Sequence, residues 1–180
     1  MSNSSARSMF HLAIVVLALT ISTFAQGSKE LHLRGTISDY TPQNVSGPWE
    51  VRGVWSLTVK NGSHTADFSA ALTMVRSDLG VTLSGGGDLN SPTDRNAHTH
   101  HFKVVNGTVT LLANGFEITG PITIAANGTF PPPFGPSSTV TIEVTGGNTL
   151  ALSNIQVILQ GDAAVHFGTQ ALNGVVRSVK

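Results

Sequence analysis

The chain contains no cysteine, and only 11% of its 180 residues are charged. Without cysteine there are no disulfides and no lipid attachment at an N-terminal cysteine, so an exported domain of this sequence must be stabilised by its core. Lys and Arg together number ten and balance ten Asp and Glu, which leaves no net field to attract nucleic acid or an anionic membrane. We therefore expect neither nucleic acid nor a membrane surface as a partner of the mature chain.

Long apolar runs are also scarce, and the most continuous one lies near the N-terminus. It extends from Met9 to Ile21, follows the cation Arg7, and is followed by small and polar residues. This pattern predicts a secretory signal peptide, because the run is shorter than the roughly 20 apolar residues of a spanning helix. The expected division is a cleavable signal helix over residues 1–25 and one domain over 26–180, secreted or periplasmic. A retained membrane anchor is the alternative.

Apolar residues at helical spacing are absent beyond this segment, whereas alternation with a period of two recurs along the chain. Such alternation is typical of strands with one buried face. The predicted buried faces comprise Trp49, Val51, Gly53, Trp55, Leu57 and Val59; Phe68, Ala70, Leu72 and Met74; and Val140, Ile142 and Val144. The mature chain is therefore predicted to be all-β.

Asn-Gly pairs indicate where tight hairpin turns connect these strands, because both residues accept positive φ angles. Five such pairs occur, beginning at Asn61, Asn106, Asn114, Asn127 and Asn173. The middle three divide the region from His98 to Phe130 into short consecutive antiparallel strands, and Gly120-Pro121 interrupts the third piece. The prediction is a single domain of about ten antiparallel strands, a barrel or sandwich rich in meander connections.

Three of the seven histidines fall within four positions, in the stretch His98-Thr99-His100-His101. In a strand, His98 and His100 project from one face and His101 from the other. Two neutral imidazoles at this spacing form half of a site for zinc or copper. We expect His166 to supply a third ligand, with His64 and His32 as the alternatives. If the run around it is extended, Asp162 shares its face and serves as a further ligand or orients one.

Two other interpretations of the histidines stay open. A histidine pair between a polar loop and a strand is explained by simple solvation without any metal, which is the favoured interpretation, and clustered imidazoles repel one another as they protonate, which would give a pH response. The His-x-His pair also occurs in cupins and in copper/zinc superoxide dismutases. The positions after it hold Lys103, Val104 and Val105 instead of the glutamate of the cupin motif, and no cysteine is present. No family is assigned on this basis.

The leading functional hypothesis is an exported soluble β-domain that binds a small ligand, a metal ion or an extracellular surface partner. A metal-dependent enzyme with His98, His100 and His166 as ligands is the first alternative. A structural protein of an extracellular assembly is the second.

Overall fold

The computed structural model describes residues 30–42, 49–60, 62–76, 97–127, 137–146 and 150–180. The strands and the one short helix of this part are β1 (Leu31–Tyr40), β2 (Trp49–Lys60), β3 (Thr65–Arg76), β4 (Ala97–Leu112), β5 (Gly115–Pro121), β6 (Thr123–Asn127), β7 (Thr139–Thr145), β8 (Asn154–Gln160), α1 (Asp162–Phe167) and β9 (Leu172–Val179). The predicted signal peptide, residues 1–25, lies outside the described residues. No helix within the described ranges is both long enough and apolar enough to cross a membrane.

Eight of the strands close into an antiparallel barrel. Around the barrel the order is β1, β2, β3, β4, β5, β7, β8 and β9, and β9 pairs with β1 to complete the circle. The remaining strand, β6, pairs with the first half of β4, where Thr99 lies opposite Asn127 and Lys103 opposite Thr123. The prediction of an all-β fold is therefore confirmed, and of the two predicted architectures the structure is the barrel.

The inner face of the barrel carries the side chains that the alternation predicts. On β2, Val51, Trp55 and Leu57 are buried between more exposed neighbours. The inward residues of β3 and β7 are likewise buried, and they pack into the same continuous core. Because successive side chains of a strand point to opposite faces, one buried face on each of eight strands is sufficient to fill the interior.

The pair Asn106-Gly107 does not form the predicted turn. β4 runs through it as a single strand of 16 residues, with Asn106 at a φ of 54°. The Asn106 amide donates to Asp67 Oδ1 at 2.8 Å, and Lys60 Nζ donates to Asn106 Oδ1 at 2.6 Å. The positive φ thus produces a bulge, marked by a shifted register on β3, instead of a chain reversal.

The outcome differs among the other predicted turns. Asn114-Gly115 does connect β4 to β5, and β5 ends at Pro121 as expected. Asn173-Gly174 lies within β9 and forms no turn. Asn61 and Gly128, which belong to the two remaining pairs, lie outside the described residues.

One end of the barrel positions the histidines, and we call it the upper end. β1 ends there at Tyr40, β2 begins at Trp49, β4 begins at Ala97, and β8 ends at Gln160. α1 follows β8 directly and therefore lies at this end. Along β4 the inward residues run from His98 and His100 at the upper end to Phe102 and Val104 further inside.

Candidate metal site

The segment that carries His166 is a helix, not the extended run predicted from the sequence. Gly161 with φ 66° precedes α1 and Gly168 with φ 87° follows it. These glycines allow the chain to turn sharply into and out of a single helical stretch, because positive φ is unstrained without a Cβ. The Ala163 amide donates to Ser138 Oγ at 3.1 Å, which satisfies one of the free amides of the first turn.

A helical signal was present in the sequence but was missed. Ala163 and Phe167 are spaced i,i+4, and both are buried in the structure. This spacing, between two glycines that bound six residues, is typical of a short helix with one apolar face. Phe167 contacts the ring of His100 at a centroid distance of 5.0 Å and that of Phe102 at 5.2 Å. Burial of Phe167 against these rings anchors α1 in the upper end of the barrel.

The imidazoles of His98, His100 and His166 converge. The Nε2 atom of His166 lies 3.3 Å from Nε2 of His98 and 3.1 Å from Nε2 of His100. One ring nitrogen from each of the three residues lies within 4.8 Å of the others, an arrangement able to hold a metal ion. We call these three residues the histidine triad.

Burial of the triad is graded from the inside of the barrel outward. His100 is 1% exposed, whereas His98 and His166 are half-buried. Trp49 lies beside His98, with its ring edge-on to the imidazole at a centroid distance of 4.8 Å. The sequence placed Trp49 on the inner face of its strand but gave no indication that it borders the histidines.

This environment keeps the three imidazoles neutral. Loss of solvation lowers the pKa of His98, and it lowers the pKa of His166 to about 4 with help from the neighbouring His98. The pKa of His100 falls to about 3, first because of burial and then because of repulsion from His166, His98 and His101. Neutral imidazole is the form in which histidine binds a metal.

The short contacts within the triad are difficult to satisfy with protons alone. In a neutral imidazole each ring nitrogen is either a donor or an acceptor. Nε2 of His166 faces Nε2 of both other histidines, yet it has one N–H or one lone pair with which to form a well-directed hydrogen bond. A cation between the three nitrogens would instead accept a lone pair from each of them.

Two of the three distances within the triad suit such a cation. A tetrahedral zinc ion with Zn–N bonds of about 2.0–2.1 Å holds neighbouring nitrogens about 3.3–3.4 Å apart. The separations of 3.3 and 3.1 Å between His166 and its two partners lie close to this value, and all three nitrogens lie within 4.8 Å of one another. Nitrogen donors of this kind suit zinc, copper, iron and nickel, in contrast to the oxygen ligands that calcium and magnesium prefer.

The fourth predicted ligand, Asp162, is not part of this group. The set of converging ligand atoms in the described ranges does not include Asp162, whose Oδ2 accepts a hydrogen bond from Ser137 Oγ at 3.2 Å. Asp162 precedes His166 by four positions, so the two share a side of α1 through helical geometry, although the predicted reason was an extended run. His101 points outward from β4 and is exposed, as predicted.

No protein-family model, curated protein or solved structure significantly matches this chain. The chemistry of the histidine triad is therefore inferred from its own residues and their surroundings.

Proposed function

We propose that this protein is an exported β-barrel that binds one transition-metal ion, zinc or copper, through His98, His100 and His166. The observation that carries the proposal is the convergence of three neutral imidazole nitrogens, two of whose separations are 3.1 and 3.3 Å. Export is proposed from the N-terminal sequence pattern. Binding as the primary role is favoured by the aromatic surroundings of the triad, which include Trp49 and Phe167.

Metal binding would connect two distant parts of the fold. His98 and His100 belong to β4 in the barrel wall, whereas His166 belongs to α1, which covers the upper end. An ion held by all three would fix the helix to the wall in addition to the packing of Phe167. Each imidazole must bind through an unprotonated nitrogen, so the proton of each neutral ring resides on the nitrogen that faces away from the ion.

The direct test is metal titration of the purified chain without a histidine tag. We expect one zinc or copper ion per chain by calorimetry and by elemental analysis. Separate His98→Ala, His100→Ala and His166→Ala variants should each lose at least about tenfold in affinity, which corresponds to about 1.4 kcal/mol. His101→Ala is the matched control, since His101 has the same side chain on the same strand but faces outward. Equal losses in the control and the triad variants, or no binding at all, would refute the proposal.

A metal-dependent enzyme is the second candidate, and one feature favours it. Three protein ligands leave the fourth position of a tetrahedral ion open, as in catalytic zinc sites. When bound, such an ion would supply Lewis acidity, while the three histidines hold it and Asp162 is available one helical turn before His166. Hydrolysis of an activated ester by the metal-loaded protein distinguishes the two roles. A rate above that of free metal that disappears in His100→Ala and falls in Asp162→Asn would favour the enzyme.

A further inference from the structure

A divalent ion in the histidine triad would retain most of its positive charge. The three ligands are neutral, and the converging group in the described ranges contains no carboxylate. Burial of an ionic charge is costly unless an opposite charge accompanies it. Even if the carboxylate of Asp162 is counted as a neighbour, a divalent ion leaves at least one positive charge uncompensated.

The gradient of burial in the triad indicates from which side a further ligand would approach. His100 is the deepest member, and Phe102 and Phe167 pack beside it toward the inside of the barrel. His98 and His166 are only half-buried. The fourth position of a tetrahedral ion would therefore lie away from the inner side, which Phe102 and Phe167 fill in the described part of the chain.

An apolar ring lies beside the triad. Trp49 is half-buried and packs its ring against His98, which places an indole in contact with the triad. Indole provides a large and rigid contact area for an apolar group at a small entropic cost. A ligand with a hydrocarbon or aromatic body would therefore gain more binding free energy from this contact than a small hydrophilic ion.

We propose that the metal-loaded triad binds a small monocarboxylate, with its carboxylate on the open position of the ion and its apolar body against Trp49. This inference rests on the proposed metal-binding function and names the class of ligand that the site accepts. The carboxylate supplies the missing negative charge, and Trp49 supplies selectivity for the body. The expected ligands are thus organic acids with an apolar body.

Cobalt(II) allows the test to be made by absorption spectroscopy. Cobalt replaces zinc in nitrogen sites, and its visible spectrum responds to a change in the ligand set. The full chain loaded with cobalt would be titrated with benzoate, with acetate, and with benzyl alcohol as the uncharged analogue. We expect saturable spectral changes with both acids, at least a tenfold preference for benzoate over acetate, and none with benzyl alcohol.

Variants then separate the two parts of the inference. Trp49→Ala should reduce the preference for benzoate at least threefold while cobalt still binds. Tyr40→Ala is the control, since Tyr40 is another aromatic residue of the upper end and is 53% exposed. An equal loss in both variants, or no preference in the native chain, would overturn the role of Trp49.

The outcome also separates this inference from the proposed function. If cobalt binds at one ion per chain but neither acid changes its spectrum, the monocarboxylate site is refuted and the metal site stands. If cobalt does not bind, or binds equally to the His166→Ala variant, both proposals fail.

Discussion

The Nε2 atoms of His100 and His166 lie 3.1 Å apart although 66 positions separate the two residues in sequence. His100 points inward from the barrel wall, and His166 is held over the upper end by a helix of six residues. A cation between them would bind the wall and the covering helix together. The consequences for stability, pH dependence and assembly of the site can each be measured.

Zinc is expected to stabilise the folded chain. A ligand that binds only the folded state contributes about 2.7 kcal/mol at a free concentration one hundred times its dissociation constant. For a chain of this size about 1 kcal/mol raises the melting temperature by about 2–4 °C, so a shift of about 5–10 °C should result. Thermal denaturation followed by circular dichroism, with zinc and with a chelator, measures this shift.

The same thermal denaturation of two variants tests whether the shift in melting temperature comes from zinc bound to the histidine triad. His166→Ala should show almost no shift, whereas His101→Ala should show the full shift. A shift that persists in His166→Ala would place the stabilising ion elsewhere on the protein.

The metal-free protein is expected to lose stability as the pH falls below neutrality. The folded-state pKa of His100 is about 3 and that of His166 about 4, both below the ordinary value of 6.5. Between these values the unfolded chain binds protons that the folded chain does not, so stability is complete above about pH 6.5 and declines toward the lower pKa values. At about pH 5, protonation of His100 in the unfolded chain alone lowers the free energy of unfolding by about 2 kcal/mol.

Urea denaturation at neutral and acidic pH checks this dependence. His100→Gln should show a smaller loss between the two conditions than the native chain, because it removes one of the groups that titrate. The outward-facing His101→Ala should show the native loss. A native-like loss in His100→Gln would mean that other groups cause the acid sensitivity.

Phe167 is expected to fix α1, and with it His166, at the upper end of the barrel. Its side chain is 1% exposed and packs against His100 and Phe102. Phe167→Ala should cost about 3–5 kcal/mol of folding stability because it leaves a cavity, and it should weaken zinc binding because α1 loses its anchor. Val165→Ala on the same helix, where the valine is 73% exposed, should change stability by less than about 0.5 kcal/mol.

Urea denaturation measures the folding stability of Phe167→Ala and Val165→Ala, and calorimetric titration measures their affinity for zinc. Unchanged zinc affinity in a folded Phe167→Ala protein would show that α1 keeps its place without the phenylalanine.

Gly35 is expected to be essential for the packing of β1. A Cβ at this position would collide with the carbonyl oxygen of Val175 and would lie 2.6 Å from Cζ2 of Trp55, its cross-strand neighbour. Since backbone and a buried indole cannot move away, Gly35→Ala should cost about 3 kcal/mol or more. Gly62→Ala is the comparison. Apart from its chain neighbours, no atom of the described residues lies within 4 Å of its added Cβ, so only the strain of φ 74° remains, about 1 kcal/mol.

Chemical denaturation of the two glycine variants ranks these costs. If Gly62→Ala proved the more damaging, the close approach of Trp55 to β1 would not limit this position.

The strand faces were predictable because alternation is a local property. Val51, Trp55 and Leu57 face inward because they lie an even number of positions apart in a strand with one buried face. The common direction of His98 and His100 follows from the same geometry. The Asn106-Gly107 pair was misassigned because the positive φ that it supplies serves a bulge as well as a turn. The choice depended on Asp67 and on the change of partner strand along β4.

The sequence by itself determined the all-β character, the inward faces and the pairing of two imidazoles on one side of β4, since these depend on neighbours a few positions apart. Closure of the barrel by β1 and β9, the helical state of the run from Asp162 to Phe167, and the arrival of His166 beside His100 were decided only by the tertiary structure. These features require contacts between residues far apart in the chain, and a packed core selects such contacts collectively.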